Sequence, residues 1–372
     1  MADPKKKLGF GIMRLPELPD KEYDKAELQS MIDCFVERGF TYFDMAWAYA
    51  RGLSEVYFGE MVAERYPREA YSAASKLHSA FVKSFEDRDR IFEEQLRRTH
   101  LEYFDYYLLH GIQDNSIEVY EKYDCFEWIR AKKEAGLAKE SGFSFHGTPE
   151  LLDRLLTDYP FIEFVQLQIN YLDWESRLVR GHECYDICRK HGKPVHVMEP
   201  VKGGTLANLP EDIEARLKEA DPDASPASWA IRYAASLPGV RVVLSGMTHL
   251  EQTQDNTSFM SDFKPLDESE MKLLADIAAE MNSRIAIPCT SCRYCTDGCP
   301  MGIAIPDYFT LYNHEMQESV LKWTPAKERY EVLIKTHGRA NECIACGQCE
   351  GVCPQHLPII ENLKLVSARF DA

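Results

Sequence analysis

The chain has 372 residues and a mass of 42.8 kDa, with 45% hydrophobic and 28% charged residues. These are ordinary values for a soluble globular protein, and the length suits one large domain plus a small one. A formal net charge of −17 repels phosphate backbones, so nucleic acid is not an expected partner. No apolar run nears the ~20 residues needed to span a bilayer, and the basic start Met1 to Lys7 has no apolar stretch behind it, so neither a membrane nor export is expected.

Taken in order, Leu8 to Leu15 alternates apolar residues and stops at Pro16, which reads as a strand. Leu28, Met31, Ile32, Phe35 and Val36 form one helical face closed by Gly39. Phe40 to Ala46 is the second strand, followed by a helix capped by Ser54 and running to about Tyr66. Ala70 to Lys76 is the third, backed by an amphipathic segment around Ile91, Leu96 and Thr99. Phe104 to His110 leads to a helix from Phe126 to Ala135, and Lys139 to Phe145 to one from Pro149 to Tyr159. Phe164 to Ile169 leads to a helix from Glu183 to His191. Pro194 to Met198 precedes a helix opened by Ser225-Pro226 and running to Leu237. Val240 to Ser245 is the eighth strand, and Leu250 to Asn256 opens another helix.

Eight strand–helix units in about 250 residues match the length of a (β/α)8 TIM barrel. A doubly wound sheet is disfavoured because the first loop lacks the G-x-G-x-x-G phosphate fingerprint. A helix from Leu273 to Met281 and a linker at Ile285–Pro288 follow, so the barrel is assigned to residues 1–282 and a second domain to 283–372.

That second domain carries Cys289, Cys292, Cys295 and Cys299 followed by Pro300, the C-x2-C-x2-C-x3-C-P spacing that wraps a cubane iron–sulfur cluster. Cys343, Cys346, Cys349 and Cys353 followed by Pro354 repeat it 54 residues later. Structural zinc usually takes two separated ligand pairs, and disulfide frameworks belong to short secreted chains. Two 4Fe–4S clusters are therefore expected. In ferredoxins with this run the fourth cysteine serves the other cluster, so Cys299 would join Cys343, Cys346 and Cys349, and Cys353 would join Cys289, Cys292 and Cys295. The four remaining cysteines (Cys34, Cys125, Cys184, Cys188) and the clusters fit a reducing cytoplasm. Asp307–Ser319 and Pro325–His337, the latter capped by Thr324, are helical in pattern. This spacer resembles the α-helical ferredoxin domains fused to flavin and succinate-type oxidoreductases.

Asp44 and Tyr49 follow the second strand, Lys76 ends the third and His110 ends the fourth, the edge where barrel enzymes place catalysts. Gly39-Phe-Thr-Tyr-Phe-Asp44-Met-Ala-Trp-Ala-Tyr49, Ser75-Lys76-Leu77 and Leu108-Leu-His110 resemble the tetrad motifs of the aldo-keto reductases, over roughly residues 8–260. The whole chain resembles the branch of that family with a C-terminal ferredoxin-like domain. The resemblance implies Tyr49 as general acid/base, Lys76 and Asp44 tuning it, and His110 orienting a carbonyl. The residue types suit that task. Hydride addition to a carbonyl needs a proton donor where negative charge develops. An ammonium near a phenol lowers its pKa from about 10, and a buried lysine needs a counter-charge. Trp47 is a candidate pocket-lining residue or simple rim packing.

The resemblance also implies a nicotinamide dinucleotide, NADP or NAD, held unevenly. Ser144 and Gln166 match positions that bind the carboxamide, Met13 is a further cofactor-binding candidate, and Met198 stands where relatives stack an aromatic. In Gly142-Phe-Ser-Phe145-His146, Phe145 replaces an amide-binding Asn. Ser245, Gly246, Thr248, Gln252, Asp255 and Asn256 match the adenosine-phosphate segment, with Gln252 where NADP-selective relatives often have Arg. Lys202 is a candidate pyrophosphate contact or a solvated loop lysine. The expected function is reduction of a small-molecule carbonyl or the reverse alcohol oxidation, with the clusters serving electron transfer or docking to a redox partner protein. The alternatives are a flavin- or ferredoxin-linked enzyme on the same barrel, favoured by Phe145 and Met198, or a redox-sensing subunit.

Overall fold

Eight parallel strands close on themselves: β1 Leu8–Gly11, β2 Tyr42–Asp44, β3 Ser72–His78, β4 Phe104–Ile112, β5 Ala138–Phe145, β6 Phe164–Gln168, β7 Val195–Met198 and β8 Val240–Ser245. Each pairs with the next, and β8 returns to β1 through Gly9 opposite Leu244. The protein is described by a computed structural model covering residues 6–176, 179–317 and 325–371. The strand assignments from the sequence hold, with ends differing by a few residues.

Alternation along each strand decides which side chains enter the barrel. Tyr42, Ala74, Tyr106, Leu108, Phe164, Val242 and Leu244 fill the interior, and Met198 packs against them. Below them Arg241 pairs with Glu140 at 2.7 Å and donates to His196 Nε2 at 3.0 Å. That leaves the His196 proton on Nδ1, which faces the Tyr42 hydroxyl at 3.1 Å. Burial and the Arg241 charge hold this imidazole well below its usual pKa, so it is neutral. The interior is a packed plug, and the open end lies at the strand C-termini.

Helices cover the outside, and local chemistry starts most of them. Asp24 accepts from the amides of Ala26 and Glu27, Ser84 and Asp87 form a capping box, and Thr148 and Ser225 each precede a proline in the first turn. Ser54 departs from expectation. It is the first residue of the helix Ser54–Phe58 and caps nothing; its hydroxyl donates to the Ile12 carbonyl at 2.7 Å and ties the loop after β2 to β1. The helix continues as a π-turn, Gly59–Ala63, where a side chain at Gly59 would come within 2.4 Å of the Arg98 carbonyl. The helices Ile117–Lys122 and Glu211–Ala220 were not expected from the pattern.

After the helix Glu268–Arg284 the chain builds a second core from Ile287, Ile303, Tyr308, Phe309, Tyr330, Leu363 and Phe370. Its helices are Ile305–Gln317, Pro325–Leu333 and Ile359–Phe370, the last of which sequence reading missed. The expected Thr324 cap and the helix end at Ser319 lie outside the described residues.

This tail rests on the open end of the barrel. Gln355 and Gln168 exchange two buried amide hydrogen bonds, at 2.7 and 3.2 Å. His356 Nε2 meets the His146 carbonyl at 3.0 Å, and Asn115 donates to the Gly351 carbonyl at 2.7 Å. Gly203, at φ +63°, lies so close to the Thr290 carbonyl that a Cβ would stand 2.3 Å away, so only glycine fits there.

Candidate active site and cluster-binding region

Register brings Asp44 opposite Ala74 of β3, so Asp44 and Lys76 point to the same side, into the mouth. The Lys76 ammonium pairs with Asp44 and donates to the Met45 carbonyl at 2.9 Å. Its Nζ sits 4.7 Å from the centroid of the Tyr49 ring. Tyr49 is presented by a turn in which Ala50 and Arg51 adopt left-handed φ values of 50° and 56°, at a cost of about 1–2 kcal/mol each for a side-chain-bearing residue. Arg51 anchors that turn through the Lys21 carbonyl at 2.8 Å and the Tyr23 hydroxyl at 2.9 Å. The Tyr49 hydroxyl meets His110 Nε2 at 3.1 Å, and the His110 carbonyl accepts from the buried Tyr120 hydroxyl at 2.6 Å. The four residues named from the sequence thus meet in one cluster.

Burial raises the Tyr49 pKa well above 10, with Tyr294 and Asp44 adding to it. The expectation of a phenol lowered by Lys76 is not met in this state: the ammonium hydrogen-bonds Asp44 and Met45, and desolvation dominates. Tyr49 is therefore a protonated donor. Burial lowers His110 well below its usual value, and His78 and Lys76 push the same way, so it is neutral. Burial moves Lys76 down and Asp44 up, and their mutual contact opposes both shifts.

Tyr49 borders a cavity that opens to solvent. Met13, Gln166, Met198 and Gly246 of the expected nucleotide set line it. Gln166 Oε1 is buried without a protein partner, and so is Asp44 Oδ1. An acceptor stranded this way suits an amide donor such as a nicotinamide carboxamide. The remaining positions face elsewhere. Ser144 Oγ accepts from the Gly111 amide, Ser245 Oγ accepts from Asn256, and Gln252 accepts from the Thr248 amide at 2.8 Å. Asp255 accepts from Ser225 at 2.6 Å and borders a different cleft. Lys202 is 2% exposed and its ammonium pairs with Asp173, so it is not a solvated lysine aimed at the cavity. Phe145 is buried away from the cavity against Phe143. Trp47 lies under the Arg98 guanidinium at 3.8 Å, rim packing rather than pocket wall.

Sequence reading missed much of the wall: Arg14, His146, Gln168 and Glu199 from the barrel, and Thr290, Cys292, Tyr294 and Gln355 from the tail. Only Glu199, held at φ +56°, stands out locally, and that is a property of the backbone and not of the letters.

The tail cysteines gather around two pockets. Cys289, Cys292, Cys295 and Cys353 line one. Cys299, Cys343, Cys346 and Cys349 line the other. Four cysteines around one pocket match the ligand count of a 4Fe–4S cluster. Burial raises the Cys289 thiol to about 12 and Cys349 to about 11, so iron binding must displace protons there.

Residues 7–279 match the aldo/keto reductase family model. The chain belongs to the aldo/keto reductase family. Residues 288–358 match the 4Fe-4S dicluster domain, so this reductase-type oxidoreductase carries an iron–sulfur module. It is 24% identical over 302 residues to an uncharacterized oxidoreductase, YqkF, of Bacillus subtilis (strain 168), covering 72% of this chain and 90% of that one. The aldo-keto reductase AKR11C1 from Bacillus halodurans, in its holo form, superposes with a TM-score of 0.58 at 25% identity, over 73% of this chain and 91% of that one. An aldo-keto reductase from Klebsiella pneumoniae in complex with NADPH shares the fold, with a TM-score of 0.58 at 20% identity over 73% and 90% of the two chains. No helix among the described residues is long and apolar enough to cross a membrane.

Proposed function

We propose that the barrel reduces a carbonyl group of a small molecule, or oxidises the corresponding alcohol, with NADPH or NADH and with Tyr49 as general acid/base. The observation that carries this reading is the Tyr49 phenol, held protonated by burial and 3.1 Å from a neutral His110, at a cavity where Gln166 Oε1 lacks a partner. The dinucleotide supplies hydride when bound; a Klebsiella pneumoniae relative is described in complex with NADPH. Gln166, Met198 and Met13 would hold the nicotinamide end, while Gly246, which the sequence assigns to the adenosine-phosphate segment, borders the same cavity. Ser245, Thr248, Gln252 and Asn256 would reach the phosphates after exchanging their present hydrogen bonds.

Within the chain, His110 orients the carbonyl oxygen and Tyr49 donates the proton as charge develops on it. Lys76, fixed by Asp44, then stabilises the phenolate left behind. Lys202 acts on the loop through Asp173, and we assign it no direct phosphate contact.

In the tail, Cys289, Cys292, Cys295 and Cys353 would hold one 4Fe–4S cluster, and Cys299, Cys343, Cys346 and Cys349 the other. These clusters supply one-electron transfer. Hydride moves two electrons together, so the tail serves docking or relay to a redox partner protein in a reducing cytoplasm. We place the division at residues 282/283; the two separate hydrophobic cores support it to within two residues, since the intervening helix runs to Arg284.

Anaerobic stopped-flow mixing of the cluster-loaded protein with NADPH or NADH, with and without an aldehyde, tests this. Aldehyde-dependent nucleotide oxidation with an unchanged cluster band is expected. No response to either nucleotide would overturn the reading, and cluster bleaching without aldehyde would favour the flavin- or ferredoxin-linked alternative.

A further inference from the structure

The cavity at Tyr49 has two owners. Gly11, Gln166 and Met198 come from the barrel, whereas Thr290, Tyr294 and Gln355 come from the loops that carry the cluster cysteines. Resting on the reductase reading above, we infer that Tyr294 is a specificity-determining residue of the barrel's site: its phenol closes the cavity beside the Tyr49 hydroxyl and limits the size of the carbonyl compound admitted.

The loop that carries it has a fixed and strained backbone: Ser291 and Arg293 both take left-handed φ values, 55° and 68°. Arg293 is held by two hydrogen bonds to Asp307, at 2.7 and 2.9 Å. Cys292 and Cys295 bracket Tyr294, so cluster binding would fix it further. Tyr294 is 40% accessible, a large ring left outside the tail's own core although it stands over the barrel mouth. Tyr294 and Tyr49 line the same cavity. The Gln168–Gln355 amide pair and the tight Gly203–Thr290 approach fix the loops that flank it.

A purely structural role for Tyr294 would leave selectivity untouched, and selectivity is therefore the readout. Holoprotein and the variants Tyr294→Phe, Tyr294→Ala and Tyr294→Trp are assayed with acetaldehyde and 2-naphthaldehyde plus NADPH. The same proteins are titrated calorimetrically with acetate and 2-naphthoate, carboxylates that stand in for an oxyanion. Iron content and the visible cluster band verify that each variant is loaded.

Tyr294→Ala is expected to raise the naphthyl-to-methyl ratio about 10-fold or more, both in kcat/KM and in carboxylate affinity. The readout is the ratio between the two substrates within each variant, so a change in overall rate common to both does not count. Tyr294→Trp moves the ratio the other way. Tyr294→Phe weakens acetate about 10-fold or more, the loss of one hydrogen bond to a charged group, and keeps the ratio. Unchanged ratios in both the Ala and Trp variants, with clusters loaded, would overturn the inference, as would a wild-type protein that binds neither carboxylate. If wild type reduces no aldehyde, the reductase reading falls, and the carboxylate titrations alone decide the role of Tyr294.

Discussion

The Lys76 ammonium lies 4.7 Å from the centre of the Tyr49 ring, yet its hydrogen bonds go to Asp44 and to the Met45 carbonyl. Lysine and tyrosine are thus coupled through the field and not through a hydrogen bond. Under the proposed function, that arrangement would leave the phenol protonated before reaction and place a charge ready to stabilise it afterwards.

Both members of the ion pair are buried, Lys76 completely and Asp44 at 3% exposure. Removing one leaves the other uncompensated, which costs about 3–5 kcal/mol. Asp44→Asn and Lys76→Met should each lower the unfolding midpoint in urea accordingly, and the double variant should be closer to wild type than either single one. Equal, additive losses would show that the pair does not act as a unit.

The His146 imidazole, at the edge of the cavity, is held down to about 4 by burial, with His356 and His78 contributing. Unfolded, it titrates near ~6.5. Between these values the unfolded chain binds more protons, so stability rises with pH. The contribution is complete above about pH 6.5 and is lost as pH falls toward 4. Denaturant midpoints of wild type and His146→Gln at pH 7 and pH 5 should converge at the lower pH, and parallel curves would contradict this origin.

The two cysteine sets predict iron counts. Cys299→Ala with Cys346→Ala strikes a single set and should leave one cluster's worth of iron and its EPR signal. Cys299→Ala with Cys289→Ala strikes both sets and should remove both clusters. If each run of four served its own cluster, the two results would be exchanged.

Gln355→Leu leaves the Gln168 Oε1 without its donor in a buried interface, where an unmet polar group costs about 1–3 kcal/mol. Protection of the tail against hydrogen exchange should fall, while that of the barrel helices stays. The pair Gln168→Leu/Gln355→Leu should recover part of the loss, because two apolar groups then meet.

The strands and the catalytic cluster could be read from sequence because both are local. Period-two runs mark strands, and Asp44, Lys76 and His110 sit at their ends whatever the helices do. The tail's contribution could not be read this way. Nothing around Tyr294 distinguishes it from any tyrosine between cluster cysteines until the tail meets the barrel mouth, a contact between residues some 245 positions apart. Lys202 fails for a related reason: a loop lysine reads as solvated, and only the fold brings Asp173 to it. Ser144 and Ser54 show the same limit, since each hydroxyl finds a backbone partner distant in sequence, at Gly111 of β4 and at Ile12 just past β1.

The most direct test of the account is Tyr49→Phe, which removes one oxygen and keeps the ring. With the clusters loaded and NADPH bound as tightly as in wild type, aldehyde-dependent oxidation of NADPH should fall by about 10²–10⁴-fold, the usual contribution of a positioned proton donor. Turnover within a few-fold of wild type would contradict the assignment of Tyr49 as general acid, and with it the proposed function.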